Sequence, residues 1–232
     1  MDKKARFFRN VIANLILSSV VVFMLVFTFT DNSVPIQGKE APVYKGDSQT
    51  AVSLMVNVYW GSEYVEPMLN IFAAHGVKTT FFVGGMWAAE NGELLKKIYD
   101  AGHELGNHGY FHKDHKALSE KANREEIEVT HKMVKSIVGV DMSLFAPPSG
   151  SFGPAAIKAA ADLGYKTVMW TADTIDWRDR DSALIYERAT RNLSGGNLIL
   201  THPTEQTAAA LPKIIAAIKE QNLTVATVSE VL

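Results

Sequence analysis

The sequence predicts an α/β fold in which parallel strands are covered by helices, as either a barrel or a doubly wound sheet. Short apolar runs with β propensity alternate about seven times with segments of helical spacing. The links between these segments are short, which is typical of repeated strand–helix units. In both architectures the carboxyl ends of the strands carry the functional residues, so the loops that follow strands are the places to search.

The predicted elements span residues 51–232. Apolar, β-branched and aromatic runs predict strands over 52–60, 78–83, 103–106, 165–170, 197–201 and 223–227, and residues 143–150 are interpreted as a strand end followed by a tight turn. Apolar residues at helical spacing, bounded by glycines and capping residues, predict helices over 65–75, over 86–101, from the N-cap Ser119 to Val138, over 154–163, around 181–193, around 211–218 and over 229–232. No internal repeat indicates a solenoid.

Composition narrows the functional classes. A chain of 232 residues is long enough for one domain plus an appendage. The formal net charge of −2 gives no reason to expect a nucleic-acid partner. The absence of cysteine excludes disulfides, thiolate catalysis and cysteine-ligated zinc, so any bound metal must use histidine, carboxylate or water.

The amino terminus carries the appendage. Four basic residues precede an apolar run from Val11 to Phe29, which is just long enough to cross a bilayer. A cleaved signal peptide is the alternative, but the run is longer than a usual h-region and no clean A-x-A site follows it. The basic flank should stay in the cytoplasm, which predicts a single-pass protein of the cell membrane with an extracytoplasmic C-terminal domain. We therefore expect a cytoplasmic tail (1–10), a transmembrane signal anchor (11–30), a polar linker (31–50) and a folded domain (51–232).

Two histidines four residues apart form the first candidate site. The run GHELGNHGYFH (102–112) places His108 and His112 on one side of a single turn, where two neutral imidazoles could bind one divalent metal. Glycines in this run allow the tight bend that a loop needs on leaving a strand. The alternative is a histidine-rich surface loop, since His103 and His115 lie nearby.

The loop TADTIDW (171–177) offers two carboxylates and a large aromatic ring. Asp173 is interpreted equally well as a substrate-binding residue or as a cap for loop N–H groups. Trp177 suits either stacking on a sugar ring or packing in the wall of a cleft. His202 follows the strand 197–201, and an aspartate such as Asp176 beside it would hold one tautomer for general acid catalysis. The alternative for His202 is a hydrogen-bonded residue at the rim.

The turn APPSG (146–150) is the last candidate. Its two prolines fix the backbone before Ser149, so that a main-chain N–H there could face a developing oxyanion. The same peptide is also an ordinary turn. The sequence contains neither a G-x-S-x-G elbow nor a P-loop glycine pattern, which argues against the hydrolase and nucleotide-binding mechanisms that use them.

Together and in this order, these motifs resemble the NodB-homology polysaccharide deacetylases, and most closely their membrane-anchored, sporulation-associated branch. The matching stretches are GVKTTFFVGG, GHELGNHGYFH, FAPPSG, DTIDW and the late L-x-H that ends at His202. The resemblance covers residues 51–232. It implies a distorted (β/α) barrel with about seven parallel strands, which agrees with the alternation described above.

The resemblance also implies a metal-dependent hydrolase that removes acetyl groups from N-acetylated sugars. His108 and His112 match the imidazole ligands of a divalent metal, zinc first and cobalt as an alternative, which would polarise the acetyl carbonyl and activate a water. Ser149 matches the oxyanion donor through its main-chain N–H. His202 matches the acid that protonates the departing amine, with Asp176 orienting it.

The sequence departs from this family at the first motif. Where the family has T-F-D-D-G, whose aspartates are the catalytic base and the third metal ligand, this chain has N-V-Y-W-G over 57–61. Asn57 could coordinate a metal weakly but cannot act as a base, and Glu63 is the nearest carboxylate that could replace the missing acids. The alternative for Glu63 is an acidic residue in the first turn of a helix. The family's arginine that pairs with the base is Ala146 here, so the charge pair is lost as a unit.

Three functions remain open from the sequence. The first is a metal-dependent hydrolase that removes N-acetyl groups from peptidoglycan or a related N-acetylated polysaccharide at the outer face of the membrane, slowed or served by a substitute base. The second is a catalytically inactive glycan-binding or scaffolding homologue, because loss of a general base lowers a rate by about 10²- to 10⁴-fold. The third is a metal-dependent hydrolase of a different amide. The expected partners are an N-acetylated glycan and, through the N-terminal helix, the membrane.

Overall fold

The structure, a computed structural model, describes residues 18–19 and 41–232. The predicted cytoplasmic tail, nearly all of the predicted membrane anchor and the first part of the predicted linker lie outside these ranges, and they stay predictions. Among the described residues, no helix is both long enough and apolar enough to cross a membrane.

A parallel sheet organises residues 41–232. Its strands are β1 Ala51–Val58, β2 Thr80–Val83, β3 Glu104–Asn107, β4 Leu144–Phe145, β5 Lys166–Thr167, β6 Ala172–Asp173, β7 Leu198–Thr201 and β8 Thr224–Val225. Seven of them form a curled half-barrel in the order β5-β4-β3-β2-β1-β7-β6, and β8 pairs with β1 beside this row. Every pairing between these strands is parallel. The predicted α/β architecture is therefore confirmed.

Eight α-helices lie between or after these strands within residues 41–232. They are α1 Ser62–His75, α2 Gly85–Glu90, α3 Gly92–Asp100, α4 Glu120–Val138, α5 Pro154–Asp162, α6 Ser182–Thr190, α7 Glu205–Glu220 and α8 Val228–Val231. The Ser119 hydroxyl accepts the Ala122 N–H and so caps α4 as predicted. The single helix predicted over 86–101 is two helices, because the backbone of Asn91 leaves the helical region between them. The strand β6 was not predicted, since it is only two residues long inside a polar loop.

The core explains why β1 is apolar at every position except Ser53 and Asn57. All eight of its residues are buried. The side chains of Leu54 and Val56 pack with the covering helices, whereas Met55 belongs to a second cluster with Phe82 and Leu198 from the neighbouring strands. A strand that is covered on both faces loses the alternation of a half-exposed strand. The carboxyl end of this strand, at Asn57 and beyond, leads directly to the candidate site.

The folded domain begins before the predicted boundary at residue 51. Val43 forms a parallel bridge with Val168, and its N–H donates to the Thr167 carbonyl at 2.9 Å. The Gly46 N–H donates to the Gly196 carbonyl at 2.9 Å. Residues 41–50, which the sequence predicts as part of an extended linker, thus make main-chain hydrogen bonds with the domain. Their polar composition was misleading because main-chain hydrogen bonds, which side-chain patterns do not report, hold this segment on the domain.

Candidate functional site

A cavity of about 430 Å³ lies at the carboxyl ends of the strands. It is lined by Asn57, Tyr59, Trp60, His108, His112, Ser149, Trp170, Asp173, Trp177, Leu200 and His202. The loops after β1, β3, β4, β6 and β7 all contribute to it. Residues from separate motifs of the sequence thus meet in one hollow, as a parallel sheet requires.

His108 and His112 lie side by side in this cavity. Their ring centroids are 5.2 Å apart. The His108 Nδ1–H donates to the Ala146 carbonyl at 2.7 Å, which leaves Nε2 as an unprotonated acceptor. Burial, together with the neighbouring His112 ring, lowers the pKa of His108 to about 3, and burial also lowers the pKa of His112. Both imidazoles are therefore neutral at pH 7.

The loop that carries these histidines is held by main-chain contacts. The Asn107 Oδ1 accepts the Gly109 N–H at 2.9 Å. The Glu126 carboxylate, 4% exposed, accepts the N–H groups of Tyr110 and Phe111, each at 2.8 Å. Glu126 was not among the predicted site residues. The available signal was an acidic residue beside the apolar stripe of α4, where a carboxylate must find donors inside the protein.

The loop is not the histidine-rich surface loop of the alternative interpretation. His103, His108 and His115 are each at most 3% exposed. His103 packs against Phe72 and Phe81, and its Nδ1 accepts the Thr79 N–H at 3.2 Å. His103 thus has its own place in the core, away from the cavity.

His202 and Asp176 form the predicted pair. The Asp176 Oδ1 accepts the His202 Nδ1–H at 2.7 Å, and Oδ2 accepts the His202 main-chain N–H at 2.6 Å. The Thr207 hydroxyl donates to the same Oδ2 at 2.6 Å. Asp176 is 1% exposed, so its orientation is fixed by three donors inside the protein. This arrangement leaves the His202 Nε2 free of that network.

The remaining predicted residues differ in position. Ser149 lines the cavity with a left-handed backbone, φ 55°, in the turn Pro148–Gly150. Trp177 lies at the mouth and is 54% exposed. Asp173 lines the cavity, and its Oδ1 also accepts the Ile175 N–H at 2.8 Å, so the substrate-binding and capping interpretations both fit its position. Glu63 lies in the first turn of α1 and does not line the cavity, in agreement with its alternative interpretation.

Two aromatic rings occupy the first motif, where the resemblance implies two acids. The Tyr59 ring stacks on His112 with centroids 4.6 Å apart and planes at 24°. The Trp60 ring stacks on His202 with centroids 6.0 Å apart and planes at 5°. Each ring covers one of the histidines on which the implied chemistry depends. The sequence indicates the loss of the acids but not these ring contacts.

The residues present do not fit the catalytic zinc that the resemblance implies. A catalytic zinc site uses three protein ligands and one open position. Within the described ranges, no group of three histidine, cysteine, aspartate or glutamate side chains is arranged to hold a metal ion. The imidazoles of His108 and His112 are the metal-binding groups that remain of the family's site. Trp60 stands in the place of the third ligand, and Glu63 does not line the cavity.

Comparisons with known proteins identify relatives of this chain. A sequence profile described as polysaccharide deacetylase matches residues 45–168. The uncharacterized protein YlxY of Bacillus subtilis is 40% identical over 210 residues, covering 90% of this chain and 66% of its own length. A peptidoglycan-N-acetylglucosamine deacetylase of Bacillus cereus is 31% identical over 175 residues, covering 73% of this chain and 82% of its own length. This chain thus spans slightly less than two thirds of the length of YlxY.

Solved structures give the same family. A protein of Bacillus anthracis, described as a CE4 family pseudoenzyme, superposes with a TM-score of 0.81 at 39% identity, covering 83% of this chain and 69% of the other. A mutant of that pseudoenzyme, described as having restored enzymatic activity, superposes with the same TM-score of 0.81 at 38% identity, covering 83% of this chain and 71% of the other. From its sequence, fold and site, this chain belongs to the polysaccharide deacetylase (NodB-homology, CE4) family.

Proposed function

We propose that this protein binds an N-acetylated cell-wall glycan, such as peptidoglycan, in the cavity and does not hydrolyse it. The observation that carries the proposal is the stacking of Tyr59 on His112 and of Trp60 on His202. The rings stand where the family motif has its base and its third metal ligand. They give the cavity aromatic surface in place of charge.

Amide hydrolysis needs a group that takes a proton from the attacking water, and Tyr59 stands where the family motif has the aspartate that does so. Among its described lining residues the sole carboxylate is Asp173, whose Oδ1 already accepts the Ile175 N–H. Asp176 has both oxygens engaged with His202 and Thr207. Loss of a general base alone lowers a rate by about 10²- to 10⁴-fold. The Tyr59 ring partly covers His112, one of the two neutral imidazoles of the 108–112 loop.

Features that suit glycan binding are retained. Trp60 and Trp177, 43% and 54% exposed, present flat apolar faces beside the polar groups of His202 and Asp173. A pocket with aromatic walls and a few fixed polar groups is typical of a small-molecule site. The His202 Nε2 is held in place by the Asp176 network and remains available to a sugar hydroxyl or carbonyl. The relative from Bacillus cereus, described as acting on peptidoglycan N-acetylglucosamine, supports this class of ligand.

Deacetylation with a substitute base is the second candidate function. It is favoured by the preserved His202–Asp176 pair and by the acceptor orientation of the His108 Nε2. A mutant of the Bacillus anthracis pseudoenzyme is described as having restored enzymatic activity. The comparison with that pseudoenzyme favours the non-hydrolysing proposal.

The N-terminal segment completes the proposal. Its basic flank and apolar run, 11–30, support a single membrane anchor that holds the domain on the extracytoplasmic side, where cell-wall glycan lies. Membership of the sporulation-associated branch is part of the same proposal and is supported by the motif resemblance. Membrane fractionation followed by protease treatment of intact cells tests the anchor and the orientation together.

A binding assay and an activity assay on the full chain test the function. We expect isothermal titration calorimetry to detect tetra-N-acetylchitotetraose, and an acetate assay with added Zn²⁺ or Co²⁺ to find no release from it or from muropeptides. Trp177→Ala should weaken binding about tenfold, the value of one stacked ring, while leaving the melting temperature nearly unchanged. Acetate release by the wild-type chain, or failure to bind any N-acetylated glycan, contradicts the proposal.

A further inference from the structure

The penultimate residue of β1, Asn57, has a side-chain oxygen without a partner. Asn57 is 3% exposed, and its Oδ1 is buried with no hydrogen-bond partner. Within residues 41–232, the His115 Nε2 is the other buried side-chain atom in this condition. A buried polar atom left unpaired has lost its hydrogen bonds to water without replacement, which destabilises the fold. Such groups are rare in folded proteins and call for a specific explanation, for example a ligand.

Asn57 lies at the boundary between the apolar interior and the cavity. Its register partner is Phe82 of β2, which is fully buried, and Met55, two residues earlier on the same face of β1, is also fully buried. Asn57 itself lines the cavity together with Leu200. The amide therefore belongs to the inner end of the cavity, where apolar side chains surround it.

The chemistry of this inner end selects a neutral ligand group. Leu200 offers only apolar surface to the cavity beside Asn57, and Phe82, the register partner of Asn57, is apolar as well. An asparagine amide can donate one hydrogen bond and accept another, in either orientation of its two terminal atoms. The best complement is a group that has one donor, one acceptor and an apolar end. An acetamido group has all three, whereas a sugar hydroxyl has no apolar end.

We propose that Asn57 is a specificity-determining residue that recognises the acetamido group of the bound sugar. Its amide pairs with the N–H or the carbonyl of that group, and the acetyl methyl contacts Leu200. The inference rests on the proposed glycan-binding function and adds the part of the sugar that is recognised. It gives Asn57 a role in binding in place of the metal coordination considered from the sequence.

Two neutral tetrasaccharides and one variant test this inference in the full chain. Tetra-N-acetylchitotetraose carries acetamido groups, and cellotetraose carries hydroxyls at the same positions. We expect the wild type to prefer the acetylated sugar by roughly ten- to hundredfold in calorimetry, the value of one or two buried hydrogen bonds. Asn57→Leu, which conserves side-chain size, should reduce this preference to within a few-fold. Because the variant removes an unpaired amide, its ligand-free melting temperature should be equal or higher.

Nuclear magnetic resonance provides a second readout that a purely structural role would not change. The Asn57 side-chain amide signals, assigned by their loss in Asn57→Leu, should shift with tetra-N-acetylchitotetraose and stay in place with cellotetraose. If the wild type binds the acetylated sugar but Asn57→Leu discriminates equally well, the inference is overturned and the proposed function stands. A wild type that binds both sugars equally also overturns the inference alone. If the wild type binds neither sugar, the proposed function fails as well.

Discussion

Replacing Trp60 with aspartate should convert the His108–His112 pair into a three-ligand zinc site. The change removes a ring that is 43% exposed and stacked on His202 at 6.0 Å, a contact worth about 0.5–1.5 kcal/mol, so the fold should tolerate it. It also supplies a carboxylate where the family motif has one. Loss of a group that merely supports a ligand changes metal affinity by about 10- to 100-fold, so a whole added ligand should raise zinc affinity by at least about 100-fold.

Competition of Zn²⁺ with a chromophoric chelator measures this change. Trp60→Ala is the matched control, because it removes the same ring and adds no ligand. We expect tighter zinc binding by Trp60→Asp alone, and its loss when His112→Ala is added. If the wild type binds zinc as tightly as Trp60→Asp, or if Trp60→Ala gains as much affinity, then Trp60 does not stand in the place of a ligand and the reasoning is refuted.

Three further predictions concern the fold around the site. Desolvation raises the pKa of the buried Glu126 carboxylate, but the contacts with the Phe111 N–H, Lys113 and the Tyr110 N–H lower it more, so the pKa lies below 4.5. In urea denaturation at pH 7, the free energy of unfolding of Glu126→Gln should therefore be about 1–2 kcal/mol lower than that of the wild type. This difference should shrink as the pH falls below 4.5. In Gly106→Ala the new Cβ would lie 2.4 Å from the Phe82 ring, and we expect a loss of about 1–3 kcal/mol, whereas Gly92→Ala, whose nearest neighbour is 3.7 Å away, should unfold like the wild type. Burial, with a contribution from the Lys78 charge, lowers the pKa of His103 from 6.5 to about 4. As the pH falls below 6.5, the unfolded state therefore binds a proton at this histidine before the folded state does. Melting temperatures should fall between pH 6.5 and pH 4 more steeply in the wild type than in His103→Gln.

Much of the site could be predicted because its residues follow strand ends. The neutral pair His108 and His112 and the pair Asp176 and His202 were identified from residue type, spacing and position after a strand. They meet in one cavity because parallel strands bring their carboxyl ends to the same edge. This meeting of the residues follows from the parallel strand topology and does not require knowledge of the side-chain packing.

Other features depend on contacts that a one-dimensional pattern does not contain. The resemblance to the family motif indicates that Tyr59 and Trp60 stand in place of two acids. Only the packing shows that each ring lies against a histidine. Glu126 is separated from the loop it holds by 15 residues of chain, so its hydrogen bonds to Tyr110 and Phe111 follow from tertiary structure. The attachment of residues 41–50 to the domain was missed for the same reason, since it rests on main-chain pairing.

We propose that Tyr59 and Trp60, which stand in place of two acids of the family motif, prevent hydrolysis at a site that still binds an N-acetylated glycan. Acetate release from tetra-N-acetylchitotetraose in the presence of Zn²⁺ tests it most directly when the wild type is compared with the double variant Tyr59→Asp/Trp60→Asp. We predict no release by the wild type and measurable release by the double variant. Release by the wild type at the rate of the double variant would contradict the account.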